Sequence, residues 1–252
     1  MKLKNKTVVV TGASSGMGRS ITELFVKEGA NVVAVARNKN KLDNLVASLK
    51  EENGNIIAYV GDISKKETNE KMINLAIEKF GKLDILINNA GIMDDMSPIA
   101  EASDEKFKSV IKTNTYGPFC GMRKACQVFL KQKSNGNIIN ISSIGSMHQA
   151  AGPVYCASKA ALNALTRNTA FMYKNDNIRC NAIAPGGINT NIVESMGQPN
   201  PDGYQRLSKV LELSPIPGEV ANIAQTALFL ASDESSYING TIIEVDGGWT
   251  SF

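Results

Sequence analysis

Short apolar runs alternate along the chain with longer stretches in which apolar residues recur every three or four positions. The short runs fall at 7–11, 31–36, 56–60, 85–88, 137–142, 178–184 and 241–245. Most are rich in Val and Ile and lack in/out alternation, which predicts strands buried on both faces of a parallel sheet. The longer stretches predict helices at 18–29, 39–52, 66–80, 155–173 and 219–231, with one or two more over 103–122 and on to 131. Within 39–52, Leu42, Leu45, Val46 and Leu49 fall at helical spacing.

Strand and helix alternate throughout, so the fold class is α/β, a doubly wound parallel sheet with right-handed crossovers. No linker is long or polar enough to divide residues 1–252, and a single domain is expected. The texture changes in one place, where Gly197, Pro199, Pro201, Gly203, Pro215 and Pro217 punctuate the chain. An irregular insert over about 189–217 suits a substrate lid, and equally a solvated loop.

Composition narrows the classes. Hydrophobic residues make up 43% and charged residues 20%, an ordinary globular balance. The net charge is +3, so nothing points to a nucleic acid or another polyanion as partner. Cys120, Cys126, Cys156 and Cys180 have no C-x-x-C spacing and read as reduced thiols, with no disulfide framework and no metal site. Asp94 and Asp95 are adjacent carboxylates, read as a solvated turn. No run of eighteen apolar residues occurs, so no membrane span is expected. The basic start of the chain leads into an apolar stretch that Thr11 and Gly12 cut short, unlike a signal peptide. A cytoplasmic protein is expected.

Two local patterns carry chemistry. Tyr155 and Lys159 stand one helical turn apart and share a helix face. A phenol beside an ammonium becomes a stronger acid, since the cation favours the phenolate, and such a Tyr can give or take a proton. Upstream, the 7–11 strand feeds the turn Thr11-Gly12-Ala13-Ser14-Ser15-Gly16-Met17-Gly18, and a helix follows. That setting marks a dinucleotide turn. Gly12 allows the tight turn, Gly16 lets the backbone approach a pyrophosphate, and Gly18 lets the helix pack on the strand. Ser14, Ser15 and Met17 complete the loop. The diphosphate would lie at a helix N-terminus, where unpaired N–H groups and the dipole favour negative charge.

The end of the second strand carries the ribose discriminator. It reads Val35-Ala36-Arg37-Asn38, with no acid for a 2′-hydroxyl and a guanidinium fork for a 2′-phosphate. NADP(H) is therefore expected over NAD(H).

Further motifs follow in order: Asp62-Ile63, Asn88-Asn89-Ala90-Gly91, Asn114, Ser143, Tyr155-x-x-x-Lys159 and Pro185-Gly186-Gly187-Ile188-Asn189-Thr190. Over nearly the whole chain this series resembles the short-chain dehydrogenase/reductase family, a Rossmann fold. The resemblance implies that Asp62 and the Ile63 backbone meet the adenine, and that Asn89, Ala90 and Gly91 line its ribose. It implies that Lys159 binds the nicotinamide ribose, that Ser143 holds the substrate oxygen, and that Asn114 anchors a water beside Lys159. Pro185, Gly186, Ile188 and Thr190 would meet the nicotinamide end. Ser142 competes with Ser143. The run 136–143 resembles the family's strand motif, whose second Ser is catalytic, and selects Ser143; counting back from Tyr155 selects Ser142.

The expected function is an NADP(H)-dependent oxidoreductase acting on CH–OH donors, interconverting a secondary alcohol and a ketone. A hydroxysteroid, bile acid or other bulky ketone suits the segments 93–97, 146–154 and 195–217. The alternatives are a 3-oxoacyl-carrier-protein reductase, with Arg123, Lys124, Lys131 and Lys133 as a basic patch, and a nucleotide-sensing binding protein. Enoyl reductases of the family space Tyr and Lys more widely. His148, the only histidine, reads as a loop residue at the pocket rim. The resemblance also implies a homo-oligomer, a tetramer over a dimer, with Trp249 buried at a subunit contact.

Overall fold

The seven apolar runs form seven strands: β1 (Thr7–Thr11), β2 (Asn31–Ala36), β3 (Asn55–Val60), β4 (Ile85–Asn88), β5 (Gly136–Ile141), β6 (Ile178–Pro185) and β7 (Ile242–Val245). In this computed structural model, which describes residues 1–251, all pair in parallel in the order β3-β2-β1-β4-β5-β6-β7. The chain winds outward from β1 to β3, then returns to β4 on the other side of β1. The strand order therefore reverses between β1 and β4, where a sheet of this kind opens a crevice at its carboxyl ends.

The absence of alternation in β1 has a direct cause. Val8 and Val10 pack into one core with Ile21, Phe25 and Leu42. Val9, pointing the other way, packs with Met72, Ile73, Leu83 and Phe129. Both faces are covered, so both must be apolar.

The helices are α1 (Gly16–Lys27), α2 (Lys39–Ser48), α3 (Lys66–Phe80), α4 (Asp104–Ile111), α5 (Gly117–Gln132), α6 (Pro153–Met172), α7 (Pro201–Glu212) and α8 (Val220–Ala231). One turn of π-helix, Lys112–Tyr116, joins α4 to α5 and explains why 103–131 read as one helix or two. The segment expected to be irregular holds α7. Asn200 caps it, accepting a hydrogen bond from Gly203 N at 2.9 Å, and Pro201 opens it.

Two ties fix the site's helices. Asn88 Nδ2 donates to Asn140 Oδ1 at 2.8 Å, and Asn140 Nδ2 donates to Thr166 Oγ1 at 2.8 Å, a buried rung from β4 through β5 to α6. Trp249 Nε1 donates to Val210 O of α7 at 3.1 Å. The indole is buried within its own chain, a reason for burial that the expected subunit contact did not include. No described helix is long and apolar enough to cross a membrane.

Candidate active site

A cleft of about 820 Å³ opens where the strand order reverses. Its wall includes Gly12, Ser14, Ser15, Gly16 and Met17 from the turn after β1. Gly12 holds φ +69°, and a Cβ there would stand 2.9 Å from the Ala90 backbone. Gly16 holds φ +52° and faces the Thr190 side chain. Both need glycine's conformational freedom. Ser15 precedes α1 with no side-chain cap, which leaves the helix's first N–H groups free at the cleft. This is the cradle an anionic diphosphate requires.

Gly18 lies behind the cleft, where a Cβ would collide with Gly12 O and Asn89 Nδ2. Asn89 Nδ2 donates to Thr11 O at 2.9 Å, while Asn89 N and Ala90 N both donate to Thr11 Oγ1. Asn89 thus staples the end of β4 to the glycine turn while also lining the cleft.

Arg37, Asp62, Ile63, Ala90, Gly91 and Thr190 line the same cleft. Burial raises Asp62, but hydrogen bonds from Ser64 and the charges of Arg37 and Lys65 outweigh it. The carboxyl sits below its ordinary value, ionised and ready to accept. Pro185, Gly186 and Ile188 stand behind the wall: Gly186 N donates to Val245 O at 3.0 Å, and Ile188 bridges to Gly218.

The residues expected to serve proton transfer converge beside this cleft. Tyr155 and Lys159 lie buried on α6. Lys159 Nζ donates to Ile141 O at 2.8 Å. A Cβ at Gly91 would stand 3.3 Å from Asn114 Oδ1 and 3.4 Å from Lys159 Nζ, so both flank the cleft's edge. The π turn aims Asn114 inward. Its Oδ1 accepts from Ile92 N at 2.9 Å, and its Nδ2 donates to Ile92 O at 2.8 Å and Ser158 Oγ at 3.1 Å. Ser143 faces the Tyr155 phenol. Ser142 is buried, with Oγ donating to Lys159 O at 3.4 Å. Of the two serines, the strand-side choice is the one beside the phenol.

The electrostatics correct one expectation. Burial pushes the Tyr155 phenol up to about 12; Ser143 works against the rise, and Cys156 and Asp94 add to it. Burial pulls Lys159 down to about 8. The phenol is not the strengthened acid that its spacing from Lys159 implied. The ammonium lies against the ring, 5.7 Å from its centre, and is engaged by the Ile141 carbonyl.

A second correction concerns Asp94, expected in a solvated turn. It is 1% exposed, and its Oδ2 accepts from Val154 N at 2.9 Å and Tyr155 N at 2.8 Å. Asp95 Oδ1 accepts from Ser97 N at 3.2 Å.

Beside Ser143 runs a largely apolar groove of about 470 Å³. Its walls include residues of all three segments expected to form the pocket, Met96, Ser146 to Gln149, and Gly203, Arg206 and Leu207, with Pro98, Ile99 and Gly145 just outside those bounds. Ala151 and, from α6, Pro153, Cys156, Ala157 and Ala160 complete it. Gly145 joins groove to site, since a Cβ there would stand 3.4 Å from both Ser143 Oγ and Cys156 Sγ. His148 lies at the rim, with Nε2 3.6 Å from Glu244 Oε1.

Sequence reasoning missed Asn38, Lys41 and Thr113 in this cleft. Asn38 and Lys41 follow Arg37 in one strand-to-helix turn, and Asn38 caps α2 by accepting from Lys41 N at 3.0 Å. An Asn just before a helical period was the available signal. Thr113 lies on the π turn and carried none.

A dinucleotide cradle, an apolar groove and a Tyr/Lys/Ser cluster between them define a nicotinamide-dependent oxidoreductase. A family described as Enoyl-(Acyl carrier protein) reductase matches residues 12–250. The chain is 38% identical to 3beta-hydroxysteroid dehydrogenase 2 of Eggerthella lenta, over 99% of this chain and 96% of that protein. It is 36% identical to the 3-oxoacyl-acyl-carrier-protein reductase FabG of Thermotoga maritima, over 98% and 99%. The crystal structure of levodione reductase superposes with a TM-score of 0.89 at 31% identity, covering 99% of each chain. The chain belongs to the short-chain dehydrogenase/reductase family, oxidoreductases that use NAD(P)(H) and act on alcohol and ketone groups.

Proposed function

We propose that the protein interconverts a bulky, largely apolar ketone and its secondary alcohol with NADP(H), with a 3-hydroxysteroid or bile acid as the leading substrate class. The observation that carries this reading is the apolar groove whose wall, Gly145, touches Ser143. Two 3beta-hydroxysteroid dehydrogenases of Eggerthella lenta, at 38% and 39% identity, support it.

The free N–H groups at the start of α1 and the Gly12–Gly16 cradle suit the diphosphate. Arg37, with Lys41 one helical turn on, suits a 2′-phosphate better than a bare ribose. Asp62 accepts from the adenine amino group. Bound NADP(H) supplies the hydride. Tyr155 gives the proton to the substrate oxygen in reduction and takes it in oxidation. Ser143 donates a hydrogen bond to that oxygen where its charge develops. Lys159, beneath the ring and beside Gly91, holds the nicotinamide ribose. Asn114 fixes the end of β4 against α6. The segment from Thr190 through α7 closes the groove as a lid. We read the protein as a cytoplasmic homo-oligomer, a tetramer in preference to a dimer.

The test is cofactor consumption with a panel of 3-ketosteroids, simple ketones and 3-oxoacyl thioesters, run with NADPH and again with NADH. Fast NADPH oxidation by the steroids supports the reading. Oxidation by acyl thioesters alone would favour the carrier-protein reductase reading, which the Thermotoga maritima relative supports. Bound NADPH that no member of the panel oxidises would favour nucleotide sensing.

A further inference from the structure

The helix that carries Tyr155 has no cap of its own. The residue before α6 is Gly152, which offers no side chain. The cap comes from a distant loop. Asp94, just beyond β4, places Oδ2 against Val154 N at 2.9 Å and Tyr155 N at 2.8 Å, and its Oδ1 accepts from Met96 N at 3.2 Å. A carboxylate there satisfies orphan N–H groups and meets the positive end of the helix dipole. Gly152 makes the room, since a Cβ would collide with the carboxylate. Met96 pays in conformation, holding φ +61° with its N–H on Asp94.

The same loop seats α7 and the turn before it. Met93 N donates to Ser195 Oγ at 3.0 Å, and Asn200 N donates to Asp95 O at 2.7 Å. A Cβ at Gly203 would collide with Met96 O. One short loop therefore touches both the Tyr155 backbone and the segment read as the lid.

We propose that Asp94 is a positioning residue for Tyr155, holding the first turn of α6 in register with Ser143 and with the segment over the groove. The proposal rests on the reading of Tyr155 as proton donor and acceptor. Asp94 also acts through charge. The charged and polar groups around Tyr155 are Asp94 from the loop, at its backbone N–H, Ser143 after β5, and Cys156 and Lys159 on α6. Asp94 is the carboxylate among them, and its negative charge disfavours the phenolate. Asp94→Asn keeps the shape but removes the charge and one acceptor. Asp94→Ala removes the cap altogether.

The experiment uses the full chain with NADPH and 9,10-phenanthrenequinone as probe ketone, and measures kcat and KM from about pH 6 to 11. Cofactor affinity, read by NADPH fluorescence, reports that each variant is folded. In Asp94→Ala, kcat is expected to fall tenfold or more while KM changes less than about threefold, the mark of a misplaced group and not of lost binding. In Asp94→Asn, which keeps one acceptor for the cap, kcat is expected to recover part of that loss and to stay several-fold below the parent, again with KM nearly unchanged. If Asp94→Ala fails to bind NADPH, Asp94→Asn decides alone. A kcat within twofold of the parent in every Asp94 variant that binds NADPH would overturn the proposal. Tyr155→Phe runs beside them. If it turns over at the parent rate, the Tyr155 reading fails and takes the proposal with it. If it is inactive while the Asp94 variants keep the parent kcat, the proposal alone fails.

Discussion

Lys159 lies over the ring of Tyr155: Nζ is 5.7 Å from the ring centre and donates to Ile141 O at 2.8 Å. Burial dominates both groups, holding the phenol up at about 12 and the ammonium down at about 8. On the proposed roles, ketone reduction needs the phenol protonated, and a raised value keeps it so through the neutral range. It also needs the ammonium, which is lost as pH rises through about 8. Reductive kcat/KM with NADPH is therefore expected to be level below about pH 8 and to decline above it. A profile that rises from pH 7 to 9 would contradict these assignments.

A buried ammonium is also costly to the fold. The folded value of Lys159, about 8, lies below its ordinary 10.5, so between these values the unfolded chain binds more protons than the folded one. Stability then increases with pH across that window, and below it the penalty is fully present. Lys159→Met should abolish turnover yet raise the melting temperature at pH 7. The relief is up to roughly 3 kcal/mol, offset by about 1 kcal/mol for the lost hydrogen bond to Ile141. The gain should vanish above pH 10.5, which calorimetry at pH 7 and 11 would reveal.

Arg37 lines the cofactor cleft with Asn38 and Lys41. Arg37→Ala should raise KM for NADPH by about tenfold, equivalent to about 1.4 kcal/mol, and leave KM for NADH within twofold. Adding Lys41→Ala should deepen the NADPH effect. Equal changes for both cofactors would refute a 2′-phosphate role.

Ser143 faces the phenol, whereas Ser142 Oγ reaches back to Lys159 O. Ser143→Ala is expected to lower kcat by about 10² to 10³, the range for a lost oxyanion donor. Ser142→Ala should cost about 1 kcal/mol of stability and less than tenfold in kcat. Paired turnover and melting curves separate the two.

Gly203 presses on the Met96 carbonyl, with no room for a methyl group. Gly203→Ala should displace the start of α7, raise KM for a bulky ketone by about tenfold and leave NADPH affinity intact. The cost of such overpacking is about 1 to 3 kcal/mol. An unchanged KM would show that α7 does not border the bound substrate.

The sheet was legible in the chain because its strands are buried on both faces. The bounds of β1, β2 and β4 and of α3 follow directly from their apolar runs. The glycine turn and Tyr155-x-x-x-Lys159 were legible because their chemistry is local. What escaped notice depends on partners far along the chain. Asp94 caps a helix 60 residues away, so adjacent carboxylates gave no hint of burial. α7 was hidden by its own Pro and Gly residues, although Asn200-Pro201 is a proper helix start. The direction of the Tyr155 shift escaped too, because spacing reports neighbours along a helix face but not how much water is excluded.

The chain has a single tryptophan, and its indole N–H is held by α7 through Val210 O at 3.1 Å. Any displacement of α7 must break that bond or drag the ring with it. Either event changes the polarity around Trp249, and no other indole masks the signal. The unlabelled protein thus contains its own optical gauge of α7. A shift in Trp249 emission on adding ketone, timed by stopped flow, would show that α7 moves on binding and at what rate.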